Sequence, residues 1–249
     1  MAHSFEELMK EAKKFYDDTD YNTTEIIYTE AIAANPDNAE AYFQRGDIYY
    51  HFFNNFDKAV ADLSKAIELN PRKDNYYEGR GDAFFTLKKF NEAVADYSKA
   101  IEINPEDADY YERRGDAYVN LKQYEAAVAD YTTAIRKTPK DALFFADYYT
   151  SRAKIYIKME RFQQAVFDCT NAVKFDANEP SYYGIRGRAY LGLTDYNNAI
   201  TDFSKAIKLY PKFAAAYYGR GKCYEALSDF ENARADFAEA EKLGYKAED

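Results

Sequence analysis

A repeat of 34 residues constrains this chain more than any other feature of its sequence. The segment NYYEGRGDAFFTLKKFNEAVADYSKAIEINP at 75–105 aligns without a gap with DYYERRGDAYVNLKQYEAAVADYTTAIRKTP at 109–139. A short segment of this kind cannot bury its apolar face alone, so copies must stack on one another. The chain is therefore expected to form an array of small, similar units.

The alignment extends over nearly all of the 249 residues. It predicts one repeat domain of about seven copies, with one residue inserted in the second copy and about four before the fifth. The predicted repeats are 5–38, 39–73, 74–107, 108–141, 146–179, 180–213 and 214–247. Positions are counted from the first residue of each repeat, leaving out the residue inserted in the second repeat, so that the closing residue, a proline in five repeats, is position 32.

Apolar or small residues recur at positions 4, 8 and 11, and again at 17, 20, 21, 24, 27 and 28. Both sets have the spacing of one face of a helix. Each repeat is therefore predicted to be two amphipathic helices with a short turn, and in five of the seven repeats a proline that cannot continue the second helix ends it. No strand pattern is present, so the fold class is all-α.

These residues resemble the tetratricopeptide repeat family. The fourth repeat has its signature residues in full: Tyr111, Gly115, Tyr118, Ala127, Tyr131, Ala134 and Pro139. The resemblance implies a right-handed superhelical solenoid of helix-turn-helix repeats whose first helices line a concave groove. It also implies protein binding without naming the ligand.

The tripeptide Arg-Gly-Asp occurs three times, at 45–47, 80–82 and 114–116. In an exposed loop it would suggest an adhesion ligand. Here it falls at positions 7 to 9 of the predicted first helix. Glycine inside a helix costs about 1 kcal/mol relative to alanine, and close helix packing explains its presence. The adhesion function is therefore disfavoured.

Arginine at position 7 occurs together with aspartate at position 23. Both are present in repeats two to seven, and both are absent from repeat one, which has Glu11 and Ile27 there. This joint presence and absence suggests a ladder of charge-assisted hydrogen bonds between the two helices of each repeat. The six expected pairs are Arg45 with Asp62, Arg80 with Asp96, Arg114 with Asp130, Arg152 with Asp168, Arg186 with Asp202, and Arg220 with Asp236.

By the family resemblance, position 9 faces the groove. It is occupied by an acidic row, Asp47, Asp82 and Asp116, and then by a basic row, Lys154, Arg188 and Lys222. Aromatic candidates are Phe43, Tyr50, Phe85 and Tyr218, and Arg113 is a basic exception in the acidic half. These residues predict a groove for a peptide with a basic and an acidic end. The alternative is that the charges are merely solvated.

The 33 basic and 43 acidic residues give a net charge of −10. This balance disfavours nucleic acid or an anionic membrane as the main partner and favours a protein or peptide. No apolar run approaches the roughly 18 residues needed to cross a bilayer, so a cytoplasmic location is expected. A homodimer is the alternative assembly, with the acidic half of one copy against the basic half of another.

The sequence gives little material for catalysis. Only two histidines are present, and His51 is the one candidate among them. Cys169 and Cys223 fall at core positions and are far apart, so neither a zinc site nor a nucleophile is indicated. We therefore predict a protein that is not an enzyme, with no cofactor, metal or catalytic residue.

Two further expectations concern particular segments. Some family members clamp the acidic tail of a chaperone with lysine, asparagine and arginine at set positions of three consecutive repeats. No three repeats here have that set, so such a clamp is not expected. The insertion before repeat five contains Leu143, Phe144 and Phe145, which are expected to extend a helix and pack on repeat four, or else to form a partner-facing patch.

Overall fold

The computed structural model describes residues 4–139 and 145–246, and all regular structure within these residues is helical. The helices of the described residues are α1 (Phe5–Asp17), α2 (Tyr21–Ala34), α3 (Ala39–His51), α4 (Phe56–Leu69), α5 (Asp74–Thr86), α6 (Phe90–Ile103), α7 (Ala108–Asn120), α8 (Tyr124–Lys137), α9 (Phe145–Lys158), α10 (Phe162–Phe175), α11 (Pro180–Gly192), α12 (Tyr196–Leu209), α13 (Ala214–Ala226) and α14 (Phe230–Lys242). The all-α prediction is confirmed.

The chain divides into two compact units, called unit 1 and unit 2 below. Unit 1 comprises residues 1–123 and holds α1 to α7, and unit 2 comprises residues 124–249 and holds α8 to α14. Within each unit, paired helices pack as hairpins, and the second helix of one hairpin packs on the first helix of the next. First helices also touch one another, α3 with α5 in unit 1 and α11 with both α9 and α13 in unit 2.

The turn inside each hairpin is closed by the backbone. Between α5 and α6, Lys88 has a left-handed φ of 60°, and the N–H of Lys89 donates to the carbonyl of Phe84 at 2.8 Å. This is the usual way to satisfy carbonyl groups at a helix end. A non-glycine residue with positive φ occurs at the same place in every hairpin turn that is described: Thr19, Asn54, Lys88, Lys122, Glu160, Thr194 and Ser228.

The buried face of the first helices is wider than the predicted one. In α5, Tyr76, Gly81 and Ala83 at positions 3, 8 and 10 are buried, whereas Phe84 at position 11 is only partly buried. Positions 3 and 10 were missed because a first helix packs on the preceding hairpin as well as on its own second helix. The hydroxyl of Tyr76, for example, donates to Glu40 on α3 at 3.0 Å.

The three Arg-Gly-Asp tripeptides lie inside α3, α5 and α7, as predicted. The expected arginine–aspartate pairs whose two members lie in the same compact unit are all formed. In the most buried of them, Arg152 donates from Nε and Nη2 to the two carboxylate oxygens of Asp168, at 2.8 and 2.7 Å. The other pairs, with nearest distances of 2.7 or 2.8 Å, are Arg45–Asp62, Arg80–Asp96, Arg186–Asp202 and Arg220–Asp236.

The same arginines make a further bond that the sequence reasoning missed. The Nη1 atom of Arg152 donates to the hydroxyl of Thr132 on the second helix of the preceding repeat, at 2.8 Å. Arg152 therefore joins α8, α9 and α10. The hydroxyl groups all come from position 25 and belong to Thr29, Ser64, Ser98, Thr132, Thr170 and Ser204. The recurrence of serine or threonine at this position was the available signal.

Phe145 is the one residue of the expected insertion cluster that the structure describes, since Leu143 and Phe144 lie outside the described residues. It begins α9 and is buried. Its ring packs edge-on against Tyr149 and Phe175 of its own hairpin, with centroids 5.4 and 4.9 Å away. Phe145 therefore extends the helix and belongs to the core instead of facing a partner, and these ring contacts lie in repeat five, whereas packing on repeat four was expected.

Both cysteines are buried and unpaired with each other. Burial raises the pKa of the Cys169 thiol to about 12 and that of Cys223 to about 11. A thiol with so high a pKa holds its proton near neutral pH, which makes it a poor nucleophile. The expectation that these residues act as small core side chains is confirmed.

Candidate functional site

In unit 1 the structure brings five of the predicted groove residues together around one cavity of about 310 Å³. Asp82 and Phe85 come from α5, Arg113 and Asp116 from α7, and Tyr50 from α3. The remaining lining residues are Thr86 and Tyr97. First helices of three successive repeats therefore contribute to one surface.

Asp82 is satisfied by neighbouring side chains. Arg113 donates from Nη1 to its carboxylate oxygens at 2.9 and 3.0 Å, and the hydroxyl of Tyr97 donates at 2.7 Å. The Nε of Arg113 lies 3.2 Å from Glu78. Arg113 therefore occupies the place that a basic residue of a ligand would take beside Asp82 and Glu78.

Phe43 and Asp47 lie outside this cavity. The ring of Phe43 is partly buried and stacks on Tyr76, with centroids 4.9 Å apart. The carboxylate of Asp47 lies 3.3 Å from Nε2 of His51 on the next turn of α3. Phe43 is therefore mainly a packing residue, and Asp47 has an internal partner whenever His51 is protonated.

Burial raises the pKa of Glu78 to about 7 from an ordinary value of 4.5, although the Arg113 guanidinium opposes the shift. Between these two pH values the folded protein holds a proton that the unfolded chain releases. The free energy of unfolding should therefore fall as the pH rises through this window, by on the order of 1 to 3 kcal/mol. We expect Glu78→Gln to remove this part of the pH dependence in urea unfolding measured between about pH 5 and pH 8. Glu231→Gln, on the exposed surface of α14, is the matched control, and parallel curves for native protein and Glu78→Gln would contradict the prediction.

In unit 2 the basic row is exposed. Lys154 lies on α9, Arg188 on α11 and Lys222 on α13. Lys222 pairs with Glu225 one turn along its own helix, at 2.9 Å. Within residues 4–139 and 145–246, no carboxylate forms an ion pair with Lys154 or Arg188. These two cations are therefore available to an anionic ligand.

The basic row lines two adjoining cavities. The first, of about 210 Å³, lies between α11 and α13 and has Lys154 and Arg188 at its rim. The second, of about 380 Å³, is lined by Arg188, Lys222 and Lys246 together with Tyr218, whose ring stacks on Tyr245 at 4.6 Å. Because Arg188 lines both cavities, they form one continuous surface, which we call the basic face.

Four residues that shape the basic face were missed by sequence reasoning. Gly184 and Gly219 lack side chains at groove positions 5 and 6, and the rings of Phe203 and Phe213 lie next to them. For Gly184 the available signal was a glycine at a groove position where every other repeat has a larger residue. The aromatic rings could not have been placed there, because Phe203 belongs to a second helix.

Among the described residues, every helix is too short or too polar to cross a lipid bilayer. In the same part of the chain, no three His, Cys, Asp or Glu side chains are grouped closely enough to hold a metal ion.

Comparisons with protein families give one consistent result. A family profile described as TPR repeat matches residues 81–122. Three profiles described as tetratricopeptide repeat match residues 186–247, residues 39–73 with 146–179, and residues 108–141. The matches are spread over most of the chain and fall in both compact units.

One curated protein, the protein SGT1 homolog of Oryza sativa subsp. japonica, is 36% identical over 83 residues. The aligned region covers 33% of this chain and only 22% of that protein. The chain therefore spans about a fifth of the length of this relative.

Solved structures resemble this one in fold. The C-terminal part of a TPR repeat-containing protein from Cytophaga hutchinsonii has a TM-score of 0.79 at 17% identity, covering 94% of this chain and 95% of that one. A tetratricopeptide repeat protein from Parabacteroides merdae has a TM-score of 0.70 at 22% identity, with coverage of 97% and 94%. YrrB, described as a TPR protein with an unusual peptide-binding site, has a TM-score of 0.60 at 22% identity, with coverage of 73% and 92%.

Proposed function

Because this chain belongs to the tetratricopeptide repeat family, we propose that it is a protein-interaction module whose basic face binds an acidic segment of a partner protein. The single observation that carries this proposal concerns ion pairs, because the two rows differ in whether their charges already have partners. Asp82 of the acidic row already holds Arg113, whereas Lys154 and Arg188 of the basic row form no ion pair with a described carboxylate. YrrB, which has the same fold and is described as having an unusual peptide-binding site, supports peptide binding by such a face.

The spacing of the helices limits the form of the ligand. Packed helices lie about 8 to 10 Å apart, and an extended peptide advances about 3.3 Å per residue. Successive members of the basic row can therefore contact about every third residue of an extended segment. A segment with acidic residues at that spacing is the complementary ligand.

A charge-reversed variant tests the proposal. We expect the native protein to select acidic peptides from a library of varied charge order, and the variant with Lys154, Arg188 and Lys222 all changed to Glu to bind them at least about tenfold more weakly. Binding should also weaken as salt is raised, because exposed charges are screened. The readout is fluorescence anisotropy at low and high salt.

The chain offers a matched control of the same net charge. Lys174, Lys208 and Lys242 occupy one position of the second helices in unit 2 and are exposed. Changing all three to Glu should leave the selection intact. Equal loss in both triple variants, or selection of basic peptides by the native protein, would contradict the proposal. A single-stranded oligonucleotide of matched charge tests whether any polyanion suffices.

Three expectations stay predictions from the sequence. One is a basic ligand segment along the acidic row, where Arg113 would have to give up Asp82. Another is an antiparallel homodimer, which sedimentation at high concentration tests directly. The third is a cytoplasmic location.

A further inference from the structure

Resting on the proposed function, we infer that the acidic segment carries one apolar side chain, which inserts into the smaller cavity of the basic face. This pocket lies between α11 and α13 and is lined mainly by Gly184, Ile185, Phe203, Phe213 and Ala215. Lys154 and Arg188, which are exposed, also line it. An apolar recess with cations at its edge complements an apolar residue with carboxylates beside it.

Two groove positions without a side chain let the aromatic walls of the pocket come close to the first helices. A Cβ on Gly184 would lie 2.9 Å from the ring of Phe213, and a Cβ on Gly219 would lie 2.4 Å from the ring of Phe203. Both distances are shorter than van der Waals contact. The missing side chains therefore let two aromatic rings approach the face formed by the first helices.

The same position carries a side chain in the other repeats. Position 5, which is Gly184 in repeat six, is a larger residue in every other repeat: Met9, Phe43, Glu78, Glu112, Thr150 and Tyr218. The opening at repeat six is therefore a local feature and does not follow from the repeat pattern. At repeat six the basic face therefore combines an apolar pocket with its cations.

The second cavity determines which ligand groups fit beside the pocket. Arg188 and Ala215 line both cavities, and Lys222 and Lys246 line only the second. A ligand that places an apolar side chain beside Ala215 therefore brings its neighbouring residues within reach of several cations. Carboxylate side chains are the groups that fit there.

The test compares two short acidic peptides that differ at one central residue, leucine in one and serine in the other. Their charges are equal, so any difference in affinity reports the pocket. We expect the native protein to prefer the leucine peptide by at least about tenfold. Ala215→Leu, which fills the mouth of the pocket from an exposed position, should abolish this preference while both peptides still bind through charge.

Ala235→Leu is the matched control, because Ala235 is an exposed alanine on α14 and lines neither cavity. It should retain the preference. Equal binding of both peptides by the native protein would contradict the insertion of an apolar side chain into the pocket, but it would still support binding of an acidic segment. Failure of both peptides to bind would overturn the proposed function together with the pocket.

Discussion

Replacing Asp168 by alanine should lower the free energy of unfolding by about 3 to 5 kcal/mol, because it leaves the guanidinium of Arg152 largely buried without its partner. The side chain of Asp168 is 1% exposed and that of Arg152 is 12% exposed. Two hydrogen bonds of 2.7 and 2.8 Å are lost together. Urea unfolding followed by circular dichroism measures the effect.

Two further variants test whether the unpaired buried charge causes the loss of stability in Asp168→Ala. Glu68→Ala removes an exposed ion pair with Lys65 and should change stability by no more than about 1 kcal/mol. The double variant Arg152→Met with Asp168→Leu removes both charges, and it should recover much of the loss because burial of charge is itself unfavourable. Burial indeed raises the pKa of Asp168 against the opposing effect of Arg152. A double variant as unstable as Asp168→Ala would contradict this explanation.

Two glycines of α5 should respond in opposite directions to the same substitution. A Cβ on Gly81 would lie 2.7 Å from the ring of Tyr97, which is buried and held by its hydroxyl bond to Asp82. Burial and this bond restrict movement of the ring, so Gly81→Ala should destabilise the protein by about 1 to 3 kcal/mol through overpacking. The gain in helix propensity offsets part of this loss.

Gly79→Ala is the matched control, two residues earlier in the same helix. Its Cβ would meet Leu63 at 3.5 Å, an ordinary contact. We therefore expect Gly79→Ala to stabilise the protein by up to about 1 kcal/mol through helix propensity alone. Thermal unfolding of the two variants beside the native protein distinguishes them, and shifts in the same direction would contradict the packing role of Gly81.

The helices could be predicted because their signals are local. The 3, 4, 7 spacing identifies each hairpin from a window of one repeat, and closing prolines mark the end of five of them. The arginine–aspartate pairs could also be predicted from the sequence, since repeat one lacks both residues and so serves as an internal comparison for the other repeats. The bond from the Nη1 atom of each ladder arginine to a hydroxyl group was missed because it leaves the repeat and reaches the hairpin before it.

The candidate site was predicted less completely. Sequence position was enough to place the acidic and basic rows on first helices. It could not show that Asp82 holds Arg113, because these residues are 31 positions apart and meet only when α5 and α7 pack side by side. Nor could it show which cations remain without a carboxylate partner.

The sequence by itself determined the repeat, the helical hairpins and the positions of the two charged rows. Each of these depends on residues within one repeat, where helix geometry relates spacing to direction. Only the tertiary structure decided which charges are compensated and where an apolar pocket opens. Those properties depend on distances between side chains of different helices, such as Phe203 and Phe213 beside Gly219 and Gly184, and no pattern within one helix specifies such distances.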